Sequence, residues 1–178
     1  LLLSILWAIG WSMLFLAAAL WLPRLWLAVI SISIIVLHNL LPTFPPDQLV
    51  PALLHNPPFL FTLGKQPVLA AYTVFPWAAV MMLGYAIGPW LEADNNKTHR
   101  CWLVAGLIML AAFVVVRTTN IYGDPAPWSL QVRGAVYTAL SFINVSKYPP
   151  SFLFLLLTLG IGAVLWSLFS RRNNRFTA

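Results

Sequence analysis

The stretch PPSFLFLLLTLGIGAVLWSLFS, residues 149–170, contains no charged side chain and begins with two prolines. A helix needs about 20 apolar residues to cross the hydrocarbon core of a bilayer, which is about 30 Å thick. Proline is tolerated in the first turn of a helix, where its missing N–H would have had no partner. We therefore expect a membrane-spanning helix here, whose start is fixed by Pro149 and Pro150.

The rest of the chain has the same apolar character. Of its 178 residues, 61% are hydrophobic and 8% are charged, whereas soluble domains carry roughly 25% charged residues. The composition therefore predicts an integral membrane protein with lipids as partners, and it argues against an ordinary soluble domain. The net charge is +6, but the basic residues are scattered rather than grouped with aromatic side chains, so no nucleic-acid partner is expected.

Five apolar runs predict the fold. Several of them have the length of a membrane span, and proline, charged residues or turn formers separate them. We predict an all-α fold, namely a polytopic transmembrane helix bundle with about five spanning helices that form one domain over residues 1–178. The helices are expected at about 1–22, 25–41, 68–91, 101–117 and 149–170.

The distribution of lysine and arginine predicts an orientation. Cytoplasmic loops carry an excess of these residues, and here the basic residues of the short loops and the tail outnumber those of the long connections. We therefore place residues 92–100 and the C-terminal tail in the cytoplasm, with residues 42–67 and 118–148 outside. Because the chain begins at Leu1 within an apolar run and not with methionine, we also expect it to be the middle part of a longer protein.

Lys147 and Tyr148 stand immediately before the fifth predicted helix. A helix N-terminus presents free N–H groups and a partial positive charge, and Lys147 adds a full positive charge. Together they predict an anion site at the outer surface, suited to a phosphate, a carboxylate or an anionic lipid head group. The alternative is that Lys147 is an ordinary lysine whose stem lies along the membrane boundary.

His38 and Asn39 lie at the outer end of the second predicted helix. An ionisable side chain within a membrane segment is a candidate functional residue, and histidine is suited to proton transfer near neutral pH. The alternative is an interfacial histidine whose ring is bonded to a loop carbonyl. The three histidines fall in separate segments without ligand spacing, so no metal site is predicted.

The outer connection 118–148 contains further polar candidates. Asn120 and Asp124 lie in a turn-rich stretch, and residues 129–142 are expected to form an amphipathic helix on the bundle with Arg133 on its polar side. The Asp124 carboxylate either caps a turn or acts through a partner, by pairing with a basic residue or orienting a histidine. The candidate basic partners are Arg117, Arg133 and Lys147.

The third predicted helix carries two packing signals. Gly84 and Gly88 have the spacing that permits close helix contact in membranes. Pro76 is expected to kink the same helix by freeing a backbone carbonyl.

Four runs of residues resemble one protein family. They are ILWAIGWSM at 5–13, FPW at 75–77 with MLGYAIGP at 82–89, NIYGDPAPW at 120–128, and NVSKYPPSFLF at 144–154. They resemble bacterial multi-helix membrane proteins that are related to the catalytic domain of heparan-alpha-glucosaminide N-acetyltransferase. The resemblance spans nearly the whole chain, in order.

The resemblance implies a transmembrane acyltransferase of the bacterial inner membrane. Such a protein passes an acetyl or other acyl group from acyl-CoA, the expected co-substrate, to a sugar or glycolipid acceptor, with no bound cofactor expected. The catalytic histidine expected from the resemblance lies in an Asp-His segment that this chain does not contain, so that role is not assigned to His38. The chain would instead supply substrate-binding and anion-binding residues, namely Lys147, Tyr148, Asp124, Asn120, His38, Asn39 and Arg133.

Two other functions remain open from the sequence. Kinked helices and outward polar loops also suit a transporter or flippase for a sugar-lipid or an anion. A non-catalytic structural membrane subunit is the third reading. Release of coenzyme A thiol would indicate the enzyme, whereas substrate uptake into vesicles would favour the transporter. No oligomeric state follows from the sequence.

Overall fold

A computed structural model describes residues 1–45, 47–56, 58–92 and 96–173. Within these ranges the chain forms seven α-helices, one 3₁₀ helix and a three-stranded sheet. The chain divides into two compact units. Unit 1 comprises Leu1–Gly88 together with Lys147–Pro150, and unit 2 comprises Pro89–Ser146 together with Ser151–Ala178.

Unit 1 combines short apolar helices with a small sheet. Its helices are α1 (Ile5–Ala19), α2 (Arg24–Leu37), a 3₁₀ helix (His38–Leu40), α3 (Leu49–His55) and most of α4 (Phe75–Glu92). Pro23 caps the start of α2, where a missing N–H costs nothing. The sheet contains β1 (Leu2–Leu3), β2 (Phe59–Leu63) and β3 (Gln66–Ala70).

The sheet is built on a tight hairpin. Strands β2 and β3 pair antiparallel, and the two residues between them include Gly64, whose φ of 63° is a conformation that glycine adopts without strain. Strand β1 pairs parallel with β3, and the Leu69 N–H donates to the Leu1 carbonyl at 2.9 Å. The strand order is therefore β1–β3–β2.

This sheet corrects the all-α prediction. The apolar runs expected to be helical from residues 1 and 68 begin as strands, because a short apolar run satisfies either conformation and its pairing partner decides. Helix α4 consequently begins only at Phe75. Pro76 therefore lies in its first turn, where proline is tolerated, and does not interrupt the helix as predicted.

Unit 2 contains the end of α4 together with α5 (Asn96–Thr119), α6 (Ala135–Ile143) and α7 (Phe152–Asn173). Helices α5 and α7 pack along their length around Phe113, Leu153 and Leu156. The Ser167 hydroxyl donates to the buried His99 carbonyl at 2.6 Å. His99 thus lies on α5 with 3% of its surface exposed.

Two described helices are long and apolar enough to cross a membrane. They are Lys97–Thr119 and Phe152–Ser170, and the apolar helices Ile5–Ala19, Arg24–Leu40 and Phe75–Leu91 are shorter. The structure therefore does not support five spanning helices. The first and third predicted helices lose residues to the sheet, while the second ends in a 3₁₀ turn before Pro42.

Candidate functional site

The loop Lys147–Pro150 is anchored to the end of α2 by His38. The His38 side chain is buried, with 2% of its surface exposed. Its Nε2 atom lies 2.9 Å from the Pro150 carbonyl oxygen. Its Nδ1 atom lies 2.9 Å from the Ile35 carbonyl oxygen and 3.2 Å from that of Ile34. The ring therefore bonds a loop carbonyl, which is the geometry of the structural alternative stated for this residue.

His55, the last residue of α3, lies beside His38. The centroids of the two rings are 6.2 Å apart. The segment before α3 is fixed by Asn56, whose side-chain amide bonds both the N–H and the carbonyl of Phe44. Burial lowers the pKa of His55, and the positive charge of His38 lowers it further, while a backbone hydrogen bond with Leu41 opposes the change.

Acidification is expected to destabilise the fold through His55. The unfolded chain binds this proton with a pKa of about 6.5, and the folded pKa is lower. Below about pH 6.5 the unfolded state therefore holds more protons, and stability falls until the pH passes the folded pKa. The unfolding temperature of His55→Gln should change less than that of the wild type between about pH 7 and about pH 5. Equal changes in the two proteins would contradict this role.

The exposed Lys147 and Tyr148 of this loop meet the half-buried Tyr72, and we call these three residues the Lys–Tyr cluster. The hydroxyl oxygens of Tyr72 and Tyr148 are 3.0 Å apart, and their rings meet edge to face at 5.0 Å. The Lys147 ammonium lies 5.1 Å from the centroid of the Tyr148 ring. The hydrogen bond from Tyr72, and then a hydrogen bond from Lys147, lower the pKa of Tyr148. Because one hydroxyl proton is used between the two tyrosines, the cluster presents one full positive charge and one phenolic O–H to an anion.

Tyr72 is the member of this cluster that the sequence did not indicate. It lies 76 residues from Tyr148 in the chain, between β3 and α4. No motif connects the two positions, and only the pairing of the hydroxyl groups in the fold brings them together. Asn39, another predicted site residue, is half-buried in the 3₁₀ helix next to His38.

Unit 2 holds a buried ionic network around Arg117. This side chain has 1% of its surface exposed, and its guanidinium lies 3.8 Å from the Asp124 carboxylate. The same guanidinium donates to four backbone carbonyl oxygens at 2.7–3.2 Å, those of Ala126, Ser141, Phe142 and Asn144. Arg117 thus ties the end of α5 to both ends of the connection 118–148.

Asp124 completes this network as an acceptor. Its carboxylate accepts from the Ser146 N–H at 2.7 Å, from the Ser151 hydroxyl at 2.7 Å and from the Ala126 N–H at 2.9 Å. Asp124 therefore fills both of the roles that the sequence left open: it caps a turn at Ala126, and it pairs with Arg117. Both carboxylate oxygens accept hydrogen bonds from residues of unit 2, so the side chain stabilises the fold of this unit.

Asn120 and Arg133 lie elsewhere in unit 2. The Asn120 side chain closes a loop by bonding both the carbonyl and the N–H of Trp128, at 2.9 Å and 3.1 Å. The Arg133 guanidinium lies 5.6 Å from the centroid of the Tyr137 ring at the start of α6. The predicted site residues therefore fall into two groups. Unit 1 contains Lys147, Tyr148, His38 and Asn39, and unit 2 contains Asn120, Asp124 and Arg133.

Comparison with known proteins supplies the family. No curated protein and no solved structure matches the chain. Residues 1–122 match the family model described as heparan-alpha-glucosaminide N-acetyltransferase, catalytic, and this range contains all of α1–α5 and the sheet. Since the match covers more than half of the chain, the chain belongs to the family of the heparan-alpha-glucosaminide N-acetyltransferase catalytic domain.

Proposed function

We propose that this chain is part of an integral membrane acyltransferase that transfers an acyl group from acyl-CoA to a sugar or similar acceptor, and that the Lys–Tyr cluster binds the phosphates of the donor. The observation that carries the proposal is an exposed lysine and tyrosine on a loop anchored by a buried histidine, with the tyrosine hydroxyl paired to that of Tyr72. Family membership supplies the reaction class.

Membrane insertion is supported by where the apolar surface lies. In the apolar windows of the two long helices, 17% of α5 and 33% of α7 are buried inside the structure. The core helix of a soluble protein would be mostly buried, since its apolar surface must leave water. We propose that lipid covers the remaining apolar surface of both helices, in the bacterial inner membrane with the 118–148 connection outside.

The Lys–Tyr cluster matches the chemistry of a phosphate ligand. A lysine ammonium is a compact positive charge that binds phosphate oxygens, and a tyrosine hydroxyl can donate a hydrogen bond to the same group. Both Lys147 and Tyr148 are exposed, so a ligand can reach them. Coenzyme A carries such phosphates, and an anionic lipid head group presents the same chemistry from the membrane.

The proposed reaction is an ordinary acyl transfer. An acceptor hydroxyl or amine attacks the thioester carbonyl carbon, a C–O or C–N bond forms, the C–S bond breaks, and the acceptor proton ends on the coenzyme A thiol. A histidine base would assist the attack, but His38, His55 and His99 are all buried, with 2–8% of their surfaces exposed. We therefore propose that the residues of this chain bind the acyl-CoA donor and do not abstract the proton.

Lys147→Met tests this assignment. Because an ionic hydrogen bond contributes about 1.5–3 kcal/mol, we expect the KM for acyl-CoA to rise by about 10- to 100-fold with little change in kcat. The measurement is release of coenzyme A thiol, trapped by a thiol reagent, by the longer protein that contains this chain, in lipid nanodiscs. The exposed Cys101 would react with the reagent, so all variants carry Cys101→Ser.

Lys65→Met is the matched control, because Lys65 is an exposed lysine of the same unit in the β2–β3 turn. It should leave the KM unchanged. Nanodiscs with and without anionic lipid distinguish acyl-CoA from an anionic lipid head group as the ligand of the cluster. If the cluster binds the lipid head group, acyl-CoA should bind more weakly in anionic nanodiscs. An unchanged KM in Lys147→Met would contradict the proposed site, and substrate uptake without thiol release would favour a transporter.

A further inference from the structure

Helix α6 turns its polar side toward the loop that precedes it. The Thr138 hydroxyl accepts from the Gln131 N–H at 3.0 Å, and the Ser141 hydroxyl accepts from the Ser129 N–H at 3.2 Å. Thr138 and Ser141 lie one turn apart and therefore share one side of the helix. These hydrogen bonds fix the rotation of α6 about its axis, so the opposite side faces away from the loop.

The opposite side of α6 carries an apolar stripe, formed by Val136, Leu140 and Ile143 at positions i, i+4 and i+7. These three side chains are 54–71% exposed. None of the nine residues of α6 is buried by the part of the chain that the structure describes. The stripe therefore needs a partner that removes it from water.

The level of α6 relative to the membrane follows from its contacts with α5. Arg117, in the last turn of α5, donates to the Ser141 and Asn144 carbonyls at the end of α6. The Phe142 ring meets the Phe113 ring of α5, with the centroids 5.9 Å apart. Helix α5 is long and apolar enough to cross a membrane, and a spanning helix leaves the hydrocarbon core near its last turn. These contacts therefore hold α6 at the level of the membrane–water boundary.

The charge beside the stripe matches an anionic bilayer surface. Arg133 is exposed, and its guanidinium lies 5.6 Å from the centroid of the Tyr137 ring. Tyr137 follows Val136 and lies one turn before Ser141, so it borders the stripe. Asp124, the acidic residue of the connection 118–148, is buried beside Arg117. A basic and an aromatic side chain at the edge of an apolar helix face are typical of a helix that lies in the membrane interface.

We propose that α6 is an interfacial helix, whose stripe lies among lipid acyl chains and whose neighbour Arg133 contacts anionic lipid head groups. The partner of this surface is the lipid bilayer, on the side of the 118–148 connection. The inference rests on the proposed membrane insertion of α5, but not on binding of acyl-CoA.

Electron paramagnetic resonance of a spin label at Leu140→Cys tests this position. The longer protein that contains this chain is used in lipid nanodiscs, with its other cysteines, including Cys101, replaced by serine. Oxygen, which concentrates in the bilayer, and an uncharged, water-soluble nickel chelate each relax the label where they reach it. We expect oxygen to have the stronger effect, with the label about 5–10 Å below the head groups. Ile108→Cys, at an exposed position in the middle of α5, is the matched control for membrane insertion.

Three results at position 140 would overturn the inference. A stronger effect of the nickel chelate would place the stripe in water, and a label that neither reagent reaches would be covered by another part of the protein. Magnetic broadening that disappears on dilution with unlabelled protein would identify a second copy as the cover. If the label at position 108 is reached by oxygen in these cases, the interfacial helix alone fails. A label at position 108 that the nickel chelate reaches would reject the proposed membrane insertion as well.

Arg133→Gln tests the contact with lipid head groups. In nanodiscs that contain anionic lipid, the label at position 140 should lie deeper than in zwitterionic nanodiscs, because the bilayer attracts the arginine. Arg133→Gln should remove most of this difference. Equal depths in the two lipid compositions, or a difference that persists in Arg133→Gln, would contradict the contact.

Discussion

Replacing Arg117 with methionine is expected to lower the free energy of unfolding by about 3–5 kcal/mol. The substitution leaves the buried Asp124 carboxylate without its cation and removes the donor from four backbone carbonyl oxygens. A buried group that loses its partner costs its full desolvation energy. On the scale of a chain this long, the unfolding temperature should fall by roughly 6–20 °C, as measured by thermal unfolding in detergent.

Arg133→Met is the matched control for this prediction. Arg133 is an exposed arginine of the same unit, and its guanidinium lies over the face of the Tyr137 ring. Its loss should change the free energy of unfolding by about 0.5–1 kcal/mol at most. Arg117→Lys should lie between the two, because a lysine keeps the charge but not the planar set of donors. Equal stability of Arg117→Met and Arg133→Met would refute the network.

Gly106→Ala is expected to destabilise the pairing of α5 and α7. A Cβ atom at Gly106 would stand 2.8 Å from the Gly160 carbonyl oxygen and 3.0 Å from the Val164 backbone nitrogen. Backbone atoms cannot move aside as the end of a side chain can, so the helices must separate. Overpacking of this kind typically costs about 1–3 kcal/mol, which is measurable as a lower unfolding temperature.

Gly84→Ala is the same substitution at a site where the structure leaves room. Among the described residues, a Cβ at Gly84 or at Gly88 meets no atom within 4 Å beyond its chain neighbours and its own helix backbone. Alanine there should stabilise α4 by up to about 1 kcal/mol, since it is the better helix former. The two substitutions should therefore shift stability in opposite directions. If Gly106→Ala and Gly84→Ala are both neutral, α5 and α7 do not pack as closely as described.

Glycine spacing in the sequence predicts a helix surface suited to close packing, but it does not predict which helix packs there. The spacing of Gly84 and Gly88 indicated close packing, but the described residues leave room for a Cβ at both positions. The tight contact is instead between Gly106 and Gly160, which lie 54 residues apart in the sequence (160 − 106). Local spacing identifies a smooth helix face, but the partner of that face depends on the tertiary fold.

The predicted long helices at 101–117 and 149–170 correspond to α5 and α7 because each is a continuous apolar run of sufficient length. Strand β1 was missed because its pairing with β3 is non-local. Leu2 becomes a strand residue only through Leu69, which also pairs with Leu60 in the hairpin. Neither apolar segment alone differs from the start of an apolar helix.

The candidate site was predictable in part. The position of Lys147 and Tyr148 before a helix identified the loop from the sequence alone, and the alternative of a carbonyl-bonded His38 describes its observed contact. Burial of Arg117 could not be foreseen, since basic residues at helix ends are usually solvated. Its network depends on carbonyl groups from residues 126–144, whose positions only the folded connection defines.

The central claim is that the Lys–Tyr cluster binds the phosphates of an acyl-CoA donor. The most direct measurement is calorimetric binding of acetyl-CoA and of acetyl-pantetheine, which lacks the phosphates, to the protein in nanodiscs of zwitterionic lipid. We predict that acetyl-CoA binds about 10- to 100-fold more tightly than acetyl-pantetheine, and that Lys147→Met removes most of this difference. Equal binding of the two thioesters, or a difference that Lys147→Met leaves intact, would contradict the claim.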